Sequence, residues 1–194
     1  MSGTLRYGVR FGGPTTVLEE LLSTKNGVKR IDLTGLVALC DSDWAGDLDT
    51  RRSTRGFVVY YNGTPISSKS KLDTTISLSS AEAELSAMTM LVQELEWIVK
   101  LLEEMGETVN LPIAILEDNA ACIRMVEEPN SVHSRSKHVV CKKHWVNERI
   151  VSGLIKVEWY PTTKMIANIF TKPAAKAEFL RFRNALVCRL TELN

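Results

Sequence analysis

The sequence predicts an α/β domain in which an antiparallel meander of strands leads into a parallel strand–helix–strand crossover. Three observations predict it. First, Val37-Ala38-Leu39-Cys40 and Pro112 to Leu116 are short, unbroken apolar runs, and each stops abruptly at acid. Runs of this kind suit strands buried on both faces. Second, Asn62-Gly63 is a tight-turn signal between two strand-like segments. Third, Ser79 to Gly106, lying between the two apolar runs, has the apolar period of one long helix. A strand–helix–strand unit makes its strands parallel and its crossover right-handed.

Taken in order, the elements follow from these signals. The first thirty-five residues carry the weakest pattern: a short strand within Arg6 to Gly13, a short helix over Val17 to Leu22, and a connector from Asp32 to Gly35. The strand begun at Leu36 ends in Asp41-Ser42-Asp43, followed by a polar loop through Gly46, Asp47, Asp49 and Arg51-Arg52. Gly56 to Tyr61 is rich in aromatic and β-branched residues, and Thr64 to Lys69 returns beside it. Ser79 with Glu82 three residues on is a capping box. Ala81, Leu85, Met88, Val92, Leu95, Val99 and Leu102 then form an apolar stripe. Glu82, Ser86, Thr89, Gln93, Glu96, Lys100 and Glu103 form the opposite polar face. After the second apolar strand, Asn119 to Glu127 suits a helix closed by Pro129. Arg135 to Ser152 suits a basic amphipathic helix ended by Gly153. Leu154 to Tyr160 reads as a strand stopped by Pro161, Lys164 to Phe170 as a short helix, and Ala174 to Leu190 as a terminal one.

Composition bounds the function. At 194 residues and 21.7 kDa the chain is the size of one domain. Lys plus Arg is 24 against 23 for Asp plus Glu. That balance excludes a basic tail holding polyanions by bulk charge, and equally an acidic disordered segment. No apolar run approaches the roughly 20 residues that cross a bilayer, so no membrane partner is expected. Met1 to Arg10 is polar and mixed, unlike a secretory signal. The four cysteines, Cys40, Cys122, Cys141 and Cys188, make no C-x-x-C pair, which argues against zinc. They fit a reduced, intracellular protein of the cytoplasm or nucleus. Cys40 and Cys122 sit in apolar surroundings and read as core residues.

Most of the acids fall on polar faces or loops; three do not. Asp41 and Asp118 each follow an apolar strand directly. If the two parallel strands are neighbours, their carboxylates meet at the sheet edge where ligands commonly bind. Glu84 has Ala81, Leu85 and Met88 as helical neighbours, so it lies on the core-facing stripe near the helix start. An unpaired carboxylate there is costly unless something compensates it. Glu82 has a structural role in the capping box, whereas Glu84 has none. Three carboxylates at strand ends and a helix start describe a hard-cation site suited to Mg²⁺ or Mn²⁺. Such sites position a nucleophilic water and stabilise the leaving oxygen in phosphodiester cleavage, commonly with two ions about 4 Å apart. Singly, each acid has an ordinary alternative: Asp118 as a helix N-cap, Asp41 as a turn residue, Glu84 paired with Lys or Arg. An EF-hand reading of Asp41-Ser42-Asp43 fails, because its fifth and twelfth positions are Ala45 and Arg52.

The run Cys40 to Asp47, followed by Arg52-Ser53-Thr54-Arg55-Gly56-Phe57, resembles the RNase H domain of copia-type retrotransposon Pol polyproteins. So do Pro65 to Lys71, Leu78 to Glu84, Glu117-Asp118-Asn119, Arg135-Ser136-Lys137-His138, Tyr160-Pro161-Thr162 and Phe170-Thr171-Lys172-Pro173. Order and spacing agree from about Leu36 to Leu186. The resemblance implies an RNase H-like fold: a mixed five-stranded sheet with a three-stranded antiparallel part and flanking helices. It implies cleavage of the RNA strand of an RNA–DNA hybrid with two Mg²⁺ ions. Asp41 would bridge both metals, and Glu84 and Asp118 would complete the first. The opening Gly3-Thr4-Leu5-Arg6-Tyr7-Gly8 resembles the connection after the reverse transcriptase. Residues 1–35 then read as its remnant, 36–173 as the RNase H-like domain and 174–194 as a helical tail. On this resemblance the ancestral reverse transcriptase domain is expected to be absent from this chain.

The chain departs from the family pattern at the fourth acidic position. The family has Ala-Asp before Thr-Lys-Pro; here the run is Ala167-Asn168. An amide oxygen still ligates a cation but brings no charge, so affinity at the second metal position should fall. The expectation is a weakened metal-dependent endoribonuclease with three of four carboxylates. The alternative is a decayed or domesticated fragment that binds nucleic acid or protein without cutting. Arg51, Arg52, Arg55, Lys69 and Lys71 are candidate phosphate contacts, with Ser53 and Thr54 as candidate donors; such contacts position a duplex without reading sequence. Arg135, Lys137, Lys142, Lys143 and Arg149 form a second basic group, for which a solvated helix face is the simpler reading. His133, His138 and His144 fall in that same region, away from the acids.

Overall fold

The computed structural model describes residues 7–8, 16–22, 31–130 and 136–189. In chain order the elements are β1 (Tyr7–Gly8), α1 (Thr16–Leu22), β2 (Leu36–Asp43), β3 (Thr54–Tyr61), β4 (Thr64–Leu72), α2 (Ser80–Glu104), β5 (Ile113–Glu117), α3 (Ala120–Glu127), α4 (Lys137–Val151), β6 (Ile155–Trp159), α5 (Lys176–Leu186) and β7 (Cys188–Arg189). Five strands form one mixed sheet in the order β4-β3-β2-β5-β6. The β2–β3 and β3–β4 pairs are antiparallel, while β5 runs parallel to both β2 and β6. The expected meander and crossover are therefore both present, and β2 and β5 are direct neighbours.

Strand alternation sorts the core into two layers. Ala38, Cys40, Phe57, Val59, Ile113 and Ile115 face one way, against Leu85, Met88, Val92 and Leu95 of α2 and against α3 and α4. Every member of the predicted α2 stripe is buried. Val37, Leu39, Val58, Tyr60 and Leu116 face the other way, against Leu18, Leu21 and Leu22 of α1 and Phe182 of α5. Each side chain of this size taken fully out of water contributes roughly 2 kcal/mol. The N-terminal end of α2 is fixed by Ser79, whose hydroxyl accepts from the Glu82 N–H; Glu82 Oε2 in turn accepts from the Leu78 N–H at 2.8 Å. Cys40 and Cys122 are fully buried, as their surroundings suggested.

The structure refines the sequence reading in several places. The helix expected over Lys164 to Phe170 is two 3₁₀ turns, Thr162–Lys164 and Ile166–Phe170. Met165 separates them with an extended backbone and a fully buried side chain. The terminal helix stops at Leu186 because Val187 is extended, and Cys188–Arg189 pairs antiparallel with Tyr7–Gly8. The rest of the strand expected within Arg6 to Gly13 lies outside the described residues. Helix α4 starts at Lys137, and Arg135 also lies outside them. Ser86, expected on the polar face of α2, is buried beneath α4, where its hydroxyl donates to the Glu82 carbonyl and accepts from Lys142 Nζ at 2.8 Å. Among the described residues, no helix is long and apolar enough to cross a membrane.

Candidate metal centre

Register brings the strand-end acids together. Leu39 of β2 lies opposite Leu116 of β5, so Asp41 and Asp118, each two residues further on, reach the same edge of the sheet. The start of α2 delivers Glu84 to that edge. One carboxylate oxygen from each of Asp41, Glu84 and Asp118 lies within 4.8 Å of the others. Asp41 is 1% exposed and Glu84 5%, while Asp118 is half-buried. The ordinary alternatives are all filled otherwise. Asn119, not Asp118, caps α3: its Oδ1 accepts from the Ala121 and Cys122 N–H groups at 3.0 Å. Asp41 lies inside β2 rather than in a turn. Glu84 enters none of the ion pairs among the described residues, and its Oε2 is buried without a hydrogen-bond partner.

The electrostatics are those of charges held apart from water. Burial, reinforced by Glu117, Asp41 and Asp118, pushes the Glu84 carboxyl up to about 10. Burial also raises Asp41, against the opposing pull of Lys172 and Thr171. Glu117, fully buried beneath α2, is raised by burial too, although the Asn119 N–H donates to its Oε1 at 3.0 Å and the Cys40 thiol to its Oε2 at 3.3 Å. A donor set made only of carboxylate oxygens, one of them an orphaned buried atom, fits a hard divalent cation. These three residues would hold it.

The second 3₁₀ turn closes the site from the other face of the sheet. The Asn168 carbonyl accepts from the N–H groups of Thr171 and Lys172, both at 3.1 Å. That turn aims Thr171 and Lys172 at Asp41. The Thr171 hydroxyl donates to Asp41 Oδ2, and Lys172 Nζ lies 3.4 Å from Asp41 Oδ1. Gly56, the cross-strand partner of Asp41, makes room: a Cβ there would meet Phe170 Cβ at 2.7 Å and Thr171 Cγ2 at 2.9 Å. Asn168 is 3% exposed; its Nδ2 donates to the Thr162 carbonyl at 3.2 Å, and its Oδ1 is buried without a partner.

The candidate substrate contacts divide into two groups. Arg51, Lys69 and Lys71 are exposed and Arg52 is half-buried. Lys71 pairs across the strands with Arg55 and Lys69 with Phe57, so both lysines point to the α2 face of the edge strand. Ser53 instead is fully buried and accepts from the Ala45 N–H at 3.1 Å, fixing the β2–β3 loop. Thr54 is half-buried in the ladder opposite Asp43 and Leu72. Arg55 turns inward, with Nε 2.8 Å from Asp73 Oδ1 and a guanidinium N–H donating to the Ser86 carbonyl. In the second basic group, Lys143 is buried and Arg149 pairs with Glu96 and Glu148 over the Trp145 ring. Sequence reasoning missed Glu117, Thr171 and Lys172. The signal for the last two was the unanswered charge of a buried Asp41, which demanded a donor or a cation.

Fold and site together define a domain of the RNase H type. The fold matches an RNase H1 isolated from compost by a metagenomic approach, with a TM-score of 0.52 and 12% identity over 71% of this chain and 93% of that one. It matches the N-terminal RNase H domain of a Mycobacterium tuberculosis protein with a TM-score of 0.51 and 17% identity, covering 75% of this chain and 96% of that one. The chain is a homologue of copia-type retrotransposon Pol polyproteins. It is 33% identical over 173 residues to the Pol polyprotein of the Arabidopsis thaliana transposon RE1, covering 88% of this chain and 12% of the relative. It is 35% identical over 155 residues to that of transposon RE2, covering 80% of this chain and 11% of the relative. The chain thus spans about a tenth of the length of these relatives. No protein-family model matches it.

Proposed function

We propose that this chain is a metal-dependent endoribonuclease that hydrolyses the RNA strand of an RNA–DNA hybrid. The observation that carries the reading is the convergence of Asp41, Glu84 and Asp118 within 4.8 Å where two parallel strands end and α2 begins. A divalent ion, Mg²⁺ or Mn²⁺, would supply Lewis-acid activation of water and charge stabilisation at the phosphate. The chemistry is hydrolysis: a water oxygen bonds to phosphorus, one phosphoester bond breaks, and the leaving oxygen takes up a proton. Asp41, Glu84 and Asp118 would hold the cation, and the Thr171 hydroxyl, donating to Asp41 Oδ2, keeps Asp41 oriented. The exposed Arg51, Lys69 and Lys71 and the half-buried Arg52 would meet backbone phosphates without reading sequence. An RNA/DNA hybrid as the substrate class is supported by the compost RNase H1, which has the same fold and has been solved in complex with one. Recognition would rest on duplex shape and 2′-hydroxyl groups.

A second reading is a protein that retains hybrid binding and has lost cleavage. Asn168 favours it, because an uncharged amide stands where the family pattern has a carboxylate. One assay separates the two: the full chain, a labelled RNA–DNA hybrid, Mg²⁺ or Mn²⁺, and an Asp41→Asn control. Cleavage that disappears in the control supports the nuclease; hybrid bound but uncut in either metal supports the second reading. Under the first reading, Asn168→Asp raises the rate at low Mg²⁺, and equal rates across a Mg²⁺ titration would refute the role given to position 168.

A further inference from the structure

Two tryptophans stand at the sheet edge where the carboxylates gather, and the metal centre uses neither. Trp44 comes three residues after Asp41, just past the end of β2. Trp159 ends β6 and pairs with Glu117 of β5. Only β5 separates β2 from β6, so the strands that lead to the two residues lie two spacings, roughly 10 Å, apart. Asp118, at the end of β5, falls between them. Both indoles are fixed by the backbone of the site. Trp44 Nε1 donates at 3.0 Å to the carbonyl of Ser77, three residues before α2, and Trp159 Nε1 donates at 3.2 Å to the carbonyl of Asp118. The polar atom of each ring is thereby satisfied, yet the residues are 48% and 54% exposed. What they present to solvent is aromatic surface at a fixed position. The loop that begins at Trp44 is stiff: Ser53 Oγ accepts from the Ala45 N–H at 3.1 Å, and Asp47 Oδ1 from the Thr50 N–H at 2.7 Å. It also carries Arg51 and Arg52, while Ile76 and Leu78, both exposed, continue the apolar surface on either side of Ser77. Aromatic faces beside cations are what surfaces that hold nucleic acid without reading sequence are made of. The other two tryptophans mark the contrast. Trp145 is half-buried, with the Arg149 guanidinium 4.1 Å from its ring centroid. Trp97 is exposed too, but it lies roughly 20 Å along α2 from Glu84.

We infer that Trp44 and Trp159 are substrate-positioning residues: two fixed aromatic faces, one on each side of the carboxylate cluster, that pack against the sugars of the RNA–DNA hybrid and hold its backbone over Asp41, Glu84 and Asp118. This rests on the hybrid substrate of the reading above and deepens it. The bases of a duplex are stacked on one another and closed to the indoles. The surface open to them is the sugar edge of the wide, shallow minor groove, where the 2′-hydroxyl groups lie. Packing of this kind distinguishes no bases, as the exposed lysines and arginines distinguish none.

The test uses the full chain, a labelled RNA–DNA hybrid, and Mg²⁺ or Mn²⁺. Trp44→Ala and Trp159→Ala each raise KM for the hybrid about tenfold, the range of one lost aromatic contact. The double variant raises it about a hundredfold, as independent contacts multiply. In all three, kcat at saturating hybrid stays within about threefold of wild type. Trp44→Phe and Trp159→Phe keep a ring and recover most of the affinity; Trp44→Leu and Trp159→Leu do not. Trp97→Ala behaves as wild type. A spectroscopic reading is taken in the Asp41→Asn background, where the hybrid stays intact. Adding hybrid quenches tryptophan emission, and the quenching disappears in Trp44→Phe/Trp159→Phe, whose remaining indoles are Trp97 and Trp145. A wild-type KM in the double alanine variant would overturn the inference and leave the nuclease reading intact. So would phenylalanine variants as impaired as the alanine ones, which would place the effect in the lost N–H bonds to Ser77 and Asp118. Quenching by hybrid with no cleavage by the wild type would keep the aromatic pair and overturn the nuclease reading. Neither quenching nor cleavage would overturn both.

Discussion

Glu84 and Ser86, two residues apart on α2, belong to two buried charge clusters built on opposite plans. Around Ser86, every charge is answered. Arg55 meets Asp73 at 2.8 Å, Lys142 meets the Ser86 hydroxyl at 2.8 Å, and the Ser86 carbonyl accepts from Arg55. Asp73 is raised by burial, but Arg55, Lys142 and Lys71 all pull it back. Around Glu84, like charges are stacked against one another. Glu117, Asp41 and Asp118 add to the rise that burial gives Glu84, Asp118 adds to that of Asp41, and Lys172 is the cation that Asp41 contacts. The first arrangement ties strand β3, the segment after β4, α2 and α4 into one unit. The second is a local conflict that the fold sustains and only a cation relieves. Burial alone therefore does not mark the functional acids; burial beside other carboxylates does.

The sharpest break of this contrast is at Asp41. Replacing it by Asn keeps the shape and removes the charge that both the cation and the Thr171–Lys172 turn engage. Hybrid cleavage should fall by about a thousandfold or more, the upper end of what one preorganised electrostatic group supplies. Circular dichroism and thermal melting should be unchanged or slightly improved, because a buried charge is gone. A large fall in melting temperature would instead make Asp41 part of the scaffold.

The stacked acids also predict how stability follows pH in the metal-free protein. An unfolded Glu84 loses its proton near the ordinary value of 4.5, whereas the folded one keeps it to about 10. Between these limits the folded state binds more protons, so stability is greatest at the acid end and declines as pH rises. One such proton gives a slope approaching ~1.4 kcal/mol per pH unit. Glu84→Gln should flatten that decline, leaving a smaller residue from Glu117. Mn²⁺ should bind more tightly as pH rises in the wild type, since binding expels the Glu84 proton. Chemical denaturation at pH 5 and pH 8, with and without chelator, measures both effects.

Breaking the answered cluster has the opposite signature. Asp73→Ala leaves the half-buried Arg55 guanidinium without its carboxylate and should lower stability by about 2 kcal/mol. The paired replacement Arg55→Met/Asp73→Leu should recover most of that. Neither should change the number of Mn²⁺ ions bound. A double variant as unstable as Asp73→Ala alone would show that the cluster is more than a structural clasp.

The two clusters were unequally legible in the sequence. The metal-centre acids were readable because each violates a local rule: Asp41 and Asp118 end apolar strands, and Glu84 sits on an apolar helical stripe. Local rules report on single elements, and these acids offend singly. The meander, the crossover and the α2 stripe were readable for the same reason. Ser86 and Arg55 obey local rules and were assigned to surfaces, because burial under α4 is a long-range fact that no period reveals. Ser53 fell the same way: a serine in a loop reads as exposed until the loop closes over it. The turn at Thr171 failed differently. Its sequence is helix-compatible, and only the buried, extended Met165 splits it into 3₁₀ pieces that carry a hydroxyl and an ammonium across to Asp41.

That turn yields the finest test of the contrast, because it supplies the side-chain donor and the cation that answer Asp41. Thr171→Val keeps the volume and removes the donor to Asp41 Oδ2. Asp41 should then lose its fixed orientation, and Mn²⁺ affinity should fall about tenfold, the lower end for groups that position a metal ligand. Thr171→Ser restores the hydroxyl and should restore affinity. Gly56→Ala attacks the same contact from behind, since its Cβ would fall 2.9 Å from Thr171 Cγ2 and 2.7 Å from Phe170 Cβ. It should weaken Mn²⁺ binding in the presence of an intact Thr171 and should also lower stability by about 1 kcal/mol through overpacking. If Thr171→Val binds Mn²⁺ as tightly as the wild type while Gly56→Ala does not, the turn acts by filling space rather than by holding Asp41. Lys172 would then be the side chain that answers Asp41.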